Sequence, residues 1–132
     1  MSLLRHPGPW FGAFATWFGV LWWLSSGIPT VPEVLSFRAS DKLMHFGYFF
    51  GGAGLLSASL FTAAPGLADG RRIVVTAVVV GLVGALDEFH QSFVPGRQGN
   101  DPADLAADVL GAIAGAFAFQ PFRQMFRSAG RP

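Results

Sequence analysis

The sequence predicts an all-α, integral membrane four-helix bundle with short loops and both termini on the same side. Three observations predict it. Hydrophobic residues make up 52% of the 132 residues and charged residues only 13%, about half the share found in soluble domains. The charges are unevenly spread: Pro7–Pro32, Phe46–Ala68, Ile73–Leu86 and Val109–Phe122 contain none. With their flanks, these stretches approach the roughly 20 apolar residues that a helix needs to cross a bilayer.

The first segment covers about 9–27. Pro29 and Pro32 cannot continue a helix and end it. Gly12, Ala15 and Gly19 share one of its faces, and Trp22 and Trp23 suit interface anchors. Arg5, the apolar run and Ser25-Ser26-Gly27 would also suit a cleaved leader. The run's length, its tryptophans and the three spans that follow favour a retained helix.

A polar connector from Pro32-Glu33 to Ser40 leads to the second segment, about 41–61. Ser40 or Asp41 can cap its first turn. Gly47-x-x-x-Gly51 and Gly54-x-x-x-Ala58 predict close approach of another helix. The turn from Pro65 to Arg72 ends in paired arginines that suit an interface anchor. The third segment, about 72–91, carries Gly81 and Gly84 on one side. Val94-Pro95-Gly96-Arg97 reads as a tight turn, with Pro second and Gly third. Asp101-Pro102 is a cap followed by proline at the first helical position. It opens the fourth segment, about 102–126, with Gly111-x-x-x-Gly115 in its middle. The whole forms a single transmembrane domain, without repeats or low-complexity tracts.

Lysine and arginine placement predicts orientation. Arg5, Arg71, Arg72, Arg123, Arg127 and Arg131 fall on one side, and Arg38, Lys42 and Arg97 on the other. Both termini are therefore expected in the cytoplasm, in the bacterial inner membrane. A net charge of +1 leaves no footprint for nucleic acid. With no cysteine, disulfides and thiolate nucleophiles are excluded. Nucleotide-binding loops and the Gly-x-Ser-x-Gly elbow are missing too.

The third and fourth segments reach spanning length only if Asp87, Glu88, Asp104 and Asp108 are counted inside the helix ends. Carboxylates inside a membrane are costly and usually mark function. Asp104, Asp108, Gly111 and Gly115 follow one helix face, as do Asp41, His45, Tyr48 and Gly52. Gln91, Asp87 or Glu88, Gly84 and Gly81 do the same on the third segment. Each helix thus pairs ionisable groups at its outer end with small residues deeper in the same stripe. Packing along these stripes would gather His45, Asp87 or Glu88, Gln91, Asp104 and Asp108, with Arg97 folding over from the turn.

Blander readings stand beside this one. Asp41 suits a helix cap, and Asp104 can serve the same first turn as Asp101. Asp108 lies about 9 Å along the axis from Pro102, too deep to cap anything. His45 is one turn inside and titrates near neutral pH. Only one of Asp87 and Glu88 is expected to point inward, and spacing leaves open which. His90 falls off the stripe, near the interface. Arg97 can simply neutralise carboxylates, making the cluster structural.

Carboxylates beside a histidine suit general acid–base chemistry, so His45, Asp87, Glu88, Asp104 and Asp108 are the catalytic candidates. Asp41, Gln91 and Arg97 are the substrate-binding candidates, with Arg97 supplying a fork for phosphate or carboxylate. No His-x-x-x-His pair occurs, so metal ranks below acid–base use. No cofactor is expected. The partners expected are membrane lipids and a lipid-linked envelope precursor or anionic head group.

At these residues the chain resembles the VanZ-like family of small bacterial membrane proteins. The matching pieces are Asp41-Lys42-x-x-His45-x-x-x-Phe49, Asp87-Glu88-x-x-Gln91, Phe93-x-Pro95-Gly96-Arg97 and Asp104-x-x-x-Asp108-x-x-Gly111-x-x-x-Gly115. They cover about residues 35–118. The family often places Asn where this chain has Asp108. The resemblance implies a role in the cell envelope and an association with resistance to glycopeptide antibiotics, chiefly teicoplanin. It implies no particular reaction. Three readings follow: an enzyme acting on an envelope head group, a binding protein without chemistry, and a structural polar cluster.

Overall fold

The computed structural model describes residues 3–27 and 40–127, the last four by backbone only. A single 3-10 turn, Leu3–Arg5, precedes four helices: α1 (Pro7–Ser25), α2 (Ser40–Ala63), α3 (Asp69–Gln91) and α4 (Pro102–Arg127). No strand occurs among the described residues. The expected connector up to Ala39, and Pro29 and Pro32, expected to end α1, lie outside them, whereas Ser40 and Asp41, the expected caps of α2, lie within its first turn.

Helices α2, α3 and α4 are long and apolar enough to cross a membrane. The first segment, expected to reach that standard outright, is not among them. Its helix has 19 residues, and its two prolines and four tryptophans lower its hydropathy below that of the other three.

The bundle carries large apolar side chains on its outside and holds polar groups beside its apolar core. Leu82 is 65% exposed and Phe117 57%, whereas Ser57, Ser59, Thr76 and Asp108 are completely buried. Such an outer surface suits lipid, and the inner polar groups must find partners among themselves. Ser57 accordingly donates to Thr76 across the α2–α3 interface at 3.2 Å.

The α2–α4 seam is the most extensive in the molecule. Glycine makes it possible. A Cβ at Gly111 would collide with the Phe46 carbonyl, and one at Gly115 with the Phe50 carbonyl. The α4 backbone therefore rests directly on α2. The glycines expected to play this part on α2 do not. Gly47, Gly51 and Gly54 have open space where a side chain would stand, as do Gly12 and Gly19 on α1.

On α2 the position that matters is Gly52, whose missing side chain is replaced by the Trp17 ring. Trp17 docks α1 onto α2. Its indole N–H donates to the Tyr48 carbonyl at 3.0 Å, and the Tyr48 hydroxyl donates to the Trp17 carbonyl at 2.8 Å. Both rings also stack, 5.4 Å apart. Trp17, Leu21, Phe49, Ala53, Leu56, Val80 and Ala112 form the main core.

Ala58, Phe61 and Phe119 form a second cluster, against which Trp10 packs. The start of α1 and the later part of α4 therefore lie at the same end. Beside them, Asp69 joins Arg72 of its own helix to Arg123 of α4. Arg72 is not the interface anchor expected. It is completely buried, donates to Asp69 and to the Leu67 carbonyl at 2.7 Å each, and lies over the Phe61 ring. Ion pairing and cation–π contact make that burial tolerable.

The seam carries a contrast that can be measured. Gly111→Ala and Gly115→Ala should each destabilise the bundle by about 1–3 kcal/mol, the usual cost of overpacking. Melting in detergent should show it. Gly47→Ala and Gly51→Ala should leave the midpoint unchanged or raise it, because alanine meets nothing there.

Candidate functional site

The end of the bundle opposite Trp10 gathers the start of α2, the end of α3 and the start of α4. Between α3 and α4 runs the turn expected at Val94–Arg97. The Arg97 N–H closes it on the Val94 carbonyl at 3.1 Å, and Gly96 takes φ 82°, as a type II turn requires of its third residue. The chain then folds back over the end of α3. A Cβ at Gly99 would collide with the Gln91–Ser92 backbone, so only glycine lets the return pass this close.

This return buries Glu88. The Asn100 N–H donates to the Glu88 carbonyl at 3.2 Å, and the Asp101 N–H donates to Glu88 Oε2 at 2.8 Å. Asp101 caps α4 as its sequence predicts, with Oδ1 accepting the Ala103 N–H at 2.8 Å. That bond first, and Lys42 second, hold the Asp101 carboxyl below the usual carboxylate range. Asp87 accepts the Gln91 side-chain N–H at 2.7 Å. One of Asp87 and Glu88 was expected to point inward, yet both are buried, at 1% and 2% exposure. The helix packing covers one, and the returning loop covers the other.

On the facing helices, Asp108 is completely buried and meets His45 at 2.8 Å, Oδ1 to Nδ1. Gly84 makes the room. A Cβ there would lie 2.9 Å from both Cβ and Oδ2 of Asp108. Nearer the mouth, the Lys42 ammonium pairs closely with Asp104 and lies 3.2 Å from Asp101 and 3.6 Å from Asp41. Asp104 is buried, whereas Asp41 is exposed at the rim.

His45, Asp87, Glu88, Gln91, Asp104 and Asp108 thus share one end of the bundle. Arg97 does not join them. Its guanidinium donates to the Leu24 and Gly27 carbonyls, 2.7 Å each, at the end of α1. The final carbonyls of a helix lack intrahelical donors and carry the negative end of its dipole. They outcompete the carboxylates for the fork because the turn aims Arg97 toward α1. Also at this end of α1, His90 stacks on Trp22 at 4.0 Å and bonds Ser26 at 3.1 Å.

Lys42 is the member that the stripe argument missed. It sits three residues before His45, which puts both on one face of the first turns of α2. That spacing was a usable signal.

Two groups of side chains place potential metal donors within 4.8 Å of one another: Asp41, His45 and Asp104 at the rim, and His45, Glu88 and Asp108 within. Asp87 Oδ1, Glu88 Oε1 and Asp108 Oδ2 are buried and accept no hydrogen bond from the described residues. No family model, curated protein or solved structure matches this chain.

Arg97→Ala should loosen α1 and lower the melting midpoint, with two hydrogen bonds to a charged group lost at roughly 1.5–3 kcal/mol each. Arg97→Lys should restore only part, since an ammonium lacks the fork. Gly84→Ala should act differently, leaving α1 docked while displacing Asp108. The His45 ring resonances in NMR should then shift, and they should stay put in Arg97→Ala.

Proposed function

We propose that the chain is a multi-pass protein of the bacterial inner membrane, with both termini cytoplasmic. On this reading its polar end faces outward and acts by acid–base chemistry on the head group of a lipid-linked envelope component. One observation carries the reading: the 2.8 Å contact between His45 and the completely buried Asp108. A carboxylate on Nδ1 holds the imidazole in one orientation and tautomer, leaving Nε2 to exchange a proton. His45 is then the general acid–base group, and Asp108 its positioning residue.

The rest of the cluster divides by what each group touches. Lys42, Asp101 and Asp104 tie the start of α2 to the start of α4, which favours a structural share for the rim. Lys42 is also the cation at the mouth, now that Arg97 serves α1. The six-to-three bias of basic residues supports the orientation. The resemblance to VanZ-like proteins supports an envelope role and glycopeptide tolerance.

The test uses His45→Ala and Asp108→Asn in cells challenged with a glycopeptide. Both should fall to the empty-vector level while their melting midpoints stay near wild type. Loss of general acid–base catalysis costs about a hundredfold or more in rate. Full tolerance in both folded variants would exclude this function, and tolerance that merely tracks folded amount would assign the cluster to structure. A reporter fused to the C-terminus should be active in the cytoplasm, and a periplasmic signal would invert the orientation.

A further inference from the structure

We propose that His45, Glu88 and Asp108 form a binding site for a divalent transition-metal cation of the zinc class. The three side chains come from three different helices, and their donor atoms lie within 4.8 Å of one another. Bonds of about 2.1 Å in tetrahedral geometry place donors roughly 3.4 Å apart, so small side-chain rotations close the set. The ion would replace the His45–Asp108 hydrogen bond with bonds from both side chains.

Two further observations point to a cation. Glu88 Oε1 and Asp108 Oδ2 are buried without a hydrogen bond, on side chains that are 2% and 0% exposed. Buried carboxylate oxygens are normally satisfied, and an orphaned oxygen on each of two members of this group calls for a partner. Charge calls for one as well. Asp87, Glu88, Asp104 and Asp108 are all buried. Facing them among the described residues are Lys42 and His45, since Arg97 is spent on the α1 carbonyls. With His45 neutral as a ligand, four carboxylates face one ammonium, and a divalent ion offsets two of the three formal negative charges left in an apolar bundle.

The donor set selects the class. Imidazole nitrogen suits zinc and its neighbours, and oxygen-only sites suit calcium and magnesium. Three protein ligands leave a fourth position open, the arrangement of reactive rather than structural zinc. The rim group shares His45 but is the poorer candidate, because Lys42 already pairs with Asp104 and Asp41 is exposed. The inner site goes beyond the acid–base reading. An ion held by His45 and Asp108 takes the place of their hydrogen bond, so the ring serves as ligand and not as proton carrier. The site is measured without any activity.

The full chain, purified in detergent and stripped with chelator, is titrated with Zn2+ alone. Bound metal is counted after dialysis. One Zn2+ per chain is expected, with a rise in melting midpoint. Affinity should fall at least tenfold in Glu88→Gln and in Asp108→Asn, and change less than twofold in Asp41→Asn and His90→Ala. If Glu88→Gln does not fold, Asp108→Asn carries the comparison. No stoichiometric Zn2+ on the wild type would overturn the proposal by itself. So would loss in Asp41→Asn with retention in Glu88→Gln, or Ca2+ binding as tightly as Zn2+. Zn2+ binding as expected, together with full glycopeptide tolerance in His45→Ala, would keep the cation site and remove the acid–base function.

Discussion

The direct seating of α4 on α2 at Gly111 and Gly115 is the constraint on which the rest depends. Gly111 meets the carbonyl of Phe46, the residue after His45, and lies one turn below Asp108. Once that glycine rests on that carbonyl, Asp108 stands level with the imidazole. The 2.8 Å contact is a consequence of backbone proximity that no longer side chain would allow. Gly84 completes the arrangement from α3 by vacating the volume that Asp108 fills. Three glycines thus act as the scaffold of a charged pair, although none of them carries chemistry.

This seating also explains how an apolar chain tolerates so many buried ionisable groups. With lipid-facing side chains apolar, the bundle has only its interior in which to place polarity. It concentrates charge at its two ends. At one, Asp69, Arg72 and Arg123 bind α3 to α4. At the other, Lys42 does so for α2 and α4, and the loop from Gly99 to Asp101 covers Glu88. The first network sets one carboxylate between two guanidinium groups. The second contains more carboxylate than base, and it holds the orphaned oxygens.

Lys42 takes the role that the position of Arg97 in the chain suggests. The arginine follows a turn beside the carboxylates and looks like their counter-ion, yet it joins the end of α1 to the α3–α4 loop. The lysine, which in the sequence counts toward orientation, proves to be the shared partner of Asp101 and Asp104. Both outcomes follow from where the backbone places the stems. A type II turn fixes the direction in which Arg97 leaves, and helical spacing fixes Lys42 on the His45 face.

What the sequence alone determined here is local or one-dimensional. Helical class follows from long charge-free runs. The cap at Asp101, the start at Pro102 and the turn at Val94–Arg97 follow from the few conformations those residues accept. The depth of Asp108 follows from counting turns. Tertiary structure decided the rest, because it concerns which face meets which neighbour. A glycine is written identically whether it stands in open space, as Gly47 and Gly51 do, or is pressed on a carbonyl like Gly111. Adjacent Asp87 and Glu88 cannot both face one helix, yet two different covers bury both. The direction of Arg97 depended on the end of α1, seventy residues away in the chain, whose carbonyls it meets only in the folded bundle.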